Sequence, residues 1–249
     1  MIKVGSIGKD VIQWQEFLKL SGYNIGSLDG IFGSKVESAT KEWQKKNGLE
    51  ADGIVGSNTL QKAGLSVVAS PSPINSKYYP PKPDFAYPNS TRVRQLFGNF
   101  SFRNNKGKIE ILDNWAGKNV VKVRIPELIG VYGAPKDGMI EFHKLGENQL
   151  KGAFSEIGEK GLADRIISFG GSFYPRFIRG SVTTLSNHSW ATALDLNAPE
   201  NWLGERPASI GEKGSLLELV PIFNKWGFFW GGHYNKRLDG MHFELAKLL

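Results

Sequence analysis

The stretch LSNHSWATALDLN, residues 185–197, decides how the second half of the chain is read. It sets His188 seven positions before Asp195 and fills the gap mostly with small or apolar residues. Read as a strand, ATALDLN puts Ala191, Ala193 and Asp195 on one face and Leu194 and Leu196 on the other. The leucines enter a core, and the alanines leave room around the carboxylate. His188 stands just before the strand and can turn towards the same open face.

A second stretch, GMHFEL (240–245), has the same period. Met241, Phe243 and Leu245 alternate inwards, so His242 and Glu244 emerge on the opposite face, with Asp239 three residues before His242 in a Leu-Asp-Gly turn. If the two strands are neighbours, His188, Asp195 and His242 converge. Two imidazoles and one carboxylate make a three-ligand zinc site with a fourth position open to water. Asp239, held close by its short spacing to His242, can take a proton from that water. That combination points to metal-assisted hydrolysis. Of the other histidines, His143 in IEFHKL follows a strand-like run and reads as structural. His233 in WGGHYN lies in a glycine-rich turn; it could line a cleft, but has no partner at ligand spacing. The helical His-Glu-x-x-His signature is absent, which excludes the metalloproteases built on it.

The chain has 249 residues, enough for one large domain or two unequal ones. There is no cysteine, so disulfides, zinc–thiolate sites and cysteine nucleophiles are excluded. Residues 1–20 lack an uninterrupted apolar core, so a signal peptide is not expected. No apolar run approaches the roughly 20 residues that span a bilayer, and no membrane insertion is expected. The net charge of +7 divides into +1 for residues 1–65 and +6 for the rest. The basic residues are dispersed, without the cluster that nucleic-acid binding needs, so a nucleic-acid partner is not expected.

Residues 1–65 contain an internal echo: LDGIFGSKV (28–36) is answered by ADGIVGSNT (51–59). Each Asp-Gly is turn chemistry, and each second glycine is followed by a serine suited to an N-cap. Ser34 with Glu37 predicts a capping box, starting a helix with Val36, Ala39, Thr40 and Trp43 on one face. Ser57 predicts a second start and Gly64 its left-handed stop. Val11, Trp14, Phe17 and Leu18 recur at helical spacing ahead of both. The unit is three short helices joined by two similar turns. With V..WQ..L in the first helix and A...WQ...GL in the second, it resembles the peptidoglycan-binding family of three-helix modules. That resemblance implies peptidoglycan as partner.

Residues 66–90 hold six of the twelve prolines and predict an extended, semi-stiff linker. Beyond it, IEILDNW (109–115) and NVVKVRI (119–125) predict strands. Leu150, Phe154 and Ile157 mark an amphipathic helix. A second helix falls within 214–228, where Pro221 must kink it or shift its start. Strands and helices mix without βαβ alternation, which predicts an α+β domain over 91–249.

SNHSWATALD resembles the Ser-x-His-(x6)-Asp motif of the zinc peptidases that include D-Ala-D-Ala dipeptidases, D-alanyl-D-alanine carboxypeptidases and phage L-alanyl-D-glutamate endopeptidases. DGMHFE resembles that family's closing Asp/Glu-x-x-His motif, and GGSFYPRFIRGS (170–181) and GFFWGG (227–232) fit its endolysin-like branch. The resemblance implies a Hedgehog/D-Ala-D-Ala peptidase-like α+β domain with a central antiparallel sheet. It assigns zinc to His188, Asp195 and His242, and the catalytic base to Asp239. It also implies an arginine for the substrate carbonyl and developing oxyanion; Arg176 is the first candidate, with Arg179 beside it for substrate. Ser186 matches the motif serine, expected as local support in the substrate region. Many relatives carry glycine where this chain has Ala191; a strand conformation accepts alanine there, and strand geometry is expected.

The expected activity is that of a monomeric modular peptidoglycan hydrolase, an endolysin held in the host cytoplasm until its release onto the wall, cutting the stem peptide at L-alanyl-D-glutamate. The alternatives are a D-alanyl-D-alanine carboxypeptidase and a non-catalytic wall-binding protein with a structural metal.

Overall fold

The computed structural model describes residues 2–6, 9–65, 79–105 and 108–249. The chain forms two compact units, Met1–Asn75 and Ser76–Leu249. Among the described residues, no helix is long and apolar enough to cross a membrane.

The first unit has helices α1 (Lys9–Leu20), α2 (Ser34–Lys46) and α3 (Ser57–Lys62). Its core forms where the three apolar faces meet: Val11, Trp14 and Leu18 of α1 pack with Val36, Ala39 and Trp43 of α2. Trp14 and Trp43 meet edge to face at 5.4 Å, and the Trp14 indole N–H donates to Thr40 Oγ1. The echo in the sequence is an echo in space. Gln15 Nε2 donates to Asp29 Oδ1, and Gln15 Oε1 accepts from Gly30 N. In the second copy Gln44 Nε2 donates to Asp52 Oδ1, and Gln44 Oε1 accepts from Gly53 N. Both aspartates also accept from the amide two residues on, Ile31 and Ile54. Gly30 and Gly53 have φ of 69° and 76°, where a side chain would be strained.

The capping box does not form, and neither serine is an N-cap. Ser34 and Ser57 are the first helical residues; Gly33 and Gly56 hold the N-cap positions in extended conformation, without a side-chain cap bond. The reason is the pairing just upstream. Phe32 bonds to Gly5 and Ser6, and Val55 to Ile2, so each turn runs extended up to its second glycine. The serines fall one position inside the helix, and Glu37 pairs with Lys41 instead. Gly64, at φ 69°, follows α3 as expected.

The second unit carries α4 (Ser90–Phe97), β1 (Phe102–Asn105), β2 (Lys108–Ile111), α5 (Trp115–Asn119), β3 (Val120–Arg124), β4 (Met139–His143), α6 (Glu147–Glu159), β5 (Phe169–Gly171), β6 (Ala193–Leu196), α7 (Val220–Lys225), β7 (Phe228–Trp230) and β8 (His242–Leu245). Two antiparallel pairs, β1–β2 and β3–β4, accompany a four-stranded antiparallel sheet in the order β5-β6-β8-β7. This is a mixed α+β domain with a central antiparallel sheet. Leu194, Leu196, Phe243 and Leu245 enter one core with Phe154 of α6 and Phe223 of α7.

Three expectations need correction here. The strand expected over 109–115 stops at Ile111, because Asp113 accepts from Ser101 N and Trp115 N and turns the chain into α5. The helix expected within 214–228 is only Val220–Lys225; Pro221 lies in its first turn, where it costs no helical hydrogen bond. Of the expected linker, residues 66–78 lie outside the described residues. Residues 79–90 do not hang free but strap the second unit. Tyr79 Oη donates to Gly232 O, His233 Nε2 lies 2.9 Å from Pro80 O, and the Tyr87 ring packs on Phe229 and Tyr234. His233 is therefore tied to the strap. His143 is structural: its Nδ1 accepts from Leu145 N, and its ring lies against Phe97 and Trp115.

Candidate metal centre

β6 and β8 are neighbours, and their register sets Asp195 directly opposite His242. His188 arrives from a 3₁₀ turn, Asn187–Trp190, just ahead of β6. His188 Nε2 lies 3.2 Å and His242 Nδ1 3.0 Å from Asp195 Oδ1. One ligand atom from each residue falls within 4.8 Å of the others. Two donors held tetrahedrally by zinc at 2.0–2.1 Å stand roughly 3.3 Å apart, so the spacing suits the ion.

The polar groups make the same point. His188 Nδ1 lies 2.9 Å from Ser172 O, a contact that takes the ring proton to Nδ1. His188 Nε2 then points a lone pair at Asp195; it is buried and has no hydrogen-bond partner despite the short distance. Nε2 can face a carboxylate this closely only with a proton or a metal cation between them. Burial opposes ionisation of Asp195, yet His188 and His242 hold its carboxyl well below the usual range. Burial also opposes charge on His242, but Asp195, Asp239 and Glu244 carry it up to about 9. The donor set fits a divalent metal, and the three residues could hold one.

Asp239 is placed by backbone. Its N–H donates to Gly231 O and its carbonyl accepts from His242 N. Gly231 must be glycine, since a Cβ there would come within 2.5 Å of Asp239 O. Asp239 Oδ1 is out of solvent and unpaired. Burial, reinforced by Asp195, raises its pKa to about 6 against the pull of His242, His188 and Arg176.

Ala191 departs from expectation. It ends the 3₁₀ turn in the left-handed region, at φ 52° and ψ 35°, and β6 begins only at Ala193. A straight strand from 191 would carry His188 away from Asp195; the left-handed residue folds it back, at a cost of about 1 kcal/mol or more for alanine. Two contacts hold the residue there: its O accepts from His143 N at 2.7 Å, and Trp190 Nε1 donates to Gly98 O.

Arg176 is half-buried, and its backbone is stitched to the His188 turn through Ser186 N and Ser189 Oγ. Arg179 is exposed, lies 5.0 Å over the Trp202 ring, and is within electrostatic reach of Asp239 and Asp195. Ser186 is buried as the N-cap of the 3₁₀ turn and contributes backbone bonds to Arg176 and Ser189. Sequence reasoning missed three polar neighbours: Ser172, whose carbonyl faces His188, and Asn187 and Tyr234, which both donate to Glu244. Only Asn187, adjacent to a ligand histidine, carried a local hint.

The fold and site are those of a two-module protein, a helical module followed by an α+β domain with a candidate metal site. Residues 7–62 match the family model described as "Putative peptidoglycan binding domain", and residues 179–245 match that described as "D-alanyl-D-alanine carboxypeptidase". Both matches agree with the resemblances read from the sequence. The spore cortex-lytic enzyme of Bacillus cereus is 41% identical over 61 residues, covering 24% of this chain and 24% of that protein. That of Oceanobacillus iheyensis is 37% identical over 62 residues, covering 25% and 22%. The chain thus spans about a quarter of the length of these relatives. A solved peptidoglycan-binding protein from Clostridioides difficile, in complex with glutamine hydroxamate, is 46% identical over 26% of this chain and 44% of that one, with a TM-score of 0.25.

Proposed function

We propose that this protein is a zinc-dependent peptidoglycan hydrolase that cleaves an amide bond of the stem peptide, at L-alanyl-D-glutamate. The observation that carries the reading is the meeting of His188 Nε2, Asp195 Oδ1 and His242 Nδ1 beside an unpaired Asp239 oxygen. His188, Asp195 and His242 would hold zinc, which would supply Lewis acidity towards a carbonyl oxygen and a water. Asp239 Oδ1 accepts the proton of the attacking water and passes it to the leaving amine. Its raised pKa suits both halves of that transfer, since the same group must first accept and then donate. Arg176 stabilises the developing oxyanion, and Arg179 holds a substrate carboxylate against the face of Trp202. Residues 1–65 bind the wall and keep the catalytic domain at high local concentration on an insoluble polymer. The protein serves as an endolysin, kept in the host cytoplasm until membrane release.

Product analysis tests this. Purified peptidoglycan digested with and without a chelator is analysed by mass spectrometry. A new N-terminal D-glutamate or isoglutamine that disappears with the chelator is the expected result. Release of free D-alanine alone, as the name of the second matching family would have it, replaces the endopeptidase with a carboxypeptidase. No new termini at all would leave a wall-binding protein with a structural metal.

A further inference from the structure

Glu244 is 1% exposed, yet no lysine or arginine partners its carboxylate among the described residues. Burying a carboxylate is costly unless it is hydrogen-bonded, so the fold keeps it at a cost. Three segments converge on it. Tyr234 Oη donates to Oε1 at 2.6 Å, Asn187 Nδ2 donates to Oε2, and His242 Nε2 lies 4.0 Å from Oε2. Asn187 adjoins His188 in the same 3₁₀ turn. Tyr234 belongs to the Gly231 loop, whose carbonyl also receives the Asp239 amide. Room for the carboxylate comes from Ala193, its cross-strand partner.

His242 therefore has a carboxylate on each side: Asp195 3.0 Å from Nδ1, and Glu244 4.0 Å from Nε2, beyond direct hydrogen-bond reach. His188 is arranged in the opposite sense, with Nδ1 towards Ser172 O and Nε2 towards Asp195. We propose that Glu244 is a positioning residue, which clasps together the segments carrying His188, His242 and Asp239 through Asn187 and Tyr234, and whose charge beside His242 favours the ring proton on Nε2 so that Nδ1 is free for the metal. The inference rests on the metal reading above. Carboxylate partners of ligand histidines fix ring orientation and tautomer, and their loss typically weakens metal binding about 10- to 100-fold.

The test measures zinc affinity by competition with a chromophoric chelator, on full-length wild type, Glu244→Gln and Tyr234→Phe. Thermal melts of the metal-free forms run in parallel. Glu244→Gln keeps the volume and one acceptor but removes the charge. The expected result is about 10- to 100-fold weaker zinc binding with a metal-free melting point within a few degrees of wild type, and a smaller loss for Tyr234→Phe. In zinc-loaded protein labelled with ¹⁵N-histidine, the His242 proton is expected on Nε2. A lowered melting point with zinc affinity within twofold of wild type makes Glu244 merely structural and overturns the proposal. So does a His242 proton on Nδ1, a measurement on wild type that stands even if the variant does not fold. Wild type that binds no zinc overturns the metal reading and this inference together, and that arm alone tells the two failures apart.

Discussion

The twin turns of the first unit and the candidate metal centre of the second handle buried polar atoms in opposite ways. Gln15 and Gln44 are each about 1% exposed, and each uses both ends of its amide to close an Asp-Gly turn. At the metal centre, His188 Nε2 and Asp239 Oδ1 are buried without a partner. Among the described residues, every such orphan lies in the second unit. A fully paired buried network specifies a shape, whereas orphans grouped around a carboxylate specify something that is to come. The first unit thus closes its buried polar atoms on one another, whereas the second leaves two of them open at the candidate metal centre.

The comparison breaks most visibly at Asp239. Asp239→Ala should lower wall hydrolysis about 100- to 10,000-fold, the range for a lost general base, while zinc content and wall binding stay at wild-type levels. If Asp239→Ala still clears a wall suspension at the native rate, its unpaired oxygen has no part in the chemistry. On the paired side, Gln44→Leu strands the buried Gly53 N, a loss of about 1–3 kcal/mol. Hydrogen exchange should show the Gly53 amide opening faster with the second unit unchanged; unaltered protection would mean that the turn closes without the glutamine.

His143 sharpens the distinction, because its Nε2 is also an orphan but lies away from the ligands. Burial lowers its pKa from 6.5 to about 4. The folded protein keeps it neutral, so the unfolded chain binds the extra proton between those values. The associated stability is fully present above about pH 6.5 and is lost as pH falls towards about 4, roughly 2–3 kcal/mol in all. Denaturation midpoints of wild type and His143→Gln should converge over that window, and parallel curves would show that His143 is charged in the fold. The smallest effect is at Ala191. Ala191→Gly relieves left-handed strain of about 1 kcal/mol but gives up a buried methyl and a stiffer unfolded chain, so the net change should stay below about 1 kcal/mol. Ala191→Val, with a branched side chain in that region, should cost more than about 2 kcal/mol by the same melt; equal stability would mean that the turn relaxes.

Much of this was legible in the chain. Alternation in ALDL and HFEL put the leucines and Phe243 in the core and Asp195 and His242 on a shared face, because a strand's period is fixed by its backbone. The doubled Asp-Gly-Ile-x-Gly-Ser announced two equal turns, because positive φ and a short acceptor are local demands. The helical faces of Trp14 and Trp43 followed from spacing alone. Ser34 and Ser57 misled, because the extended pairing of Phe32 and Val55 with residues 2–6 moved each helix start by one position. The prolines of 79–90 gave no sign that Tyr79 and Tyr87 would find aromatic surfaces to lie on.

By itself, then, the sequence determined which residue types could bind a metal and on which strand faces they stand, since those depend on local periodicity. Tertiary structure alone decided that β6 and β8 pair with Asp195 opposite His242, that Ala191 turns left-handed to bring His188 in, and that Glu244 meets Asn187 and Tyr234. The physical reason is distance along the chain. Register and clasp join residues 47 and 57 positions apart, and no local propensity reaches that far.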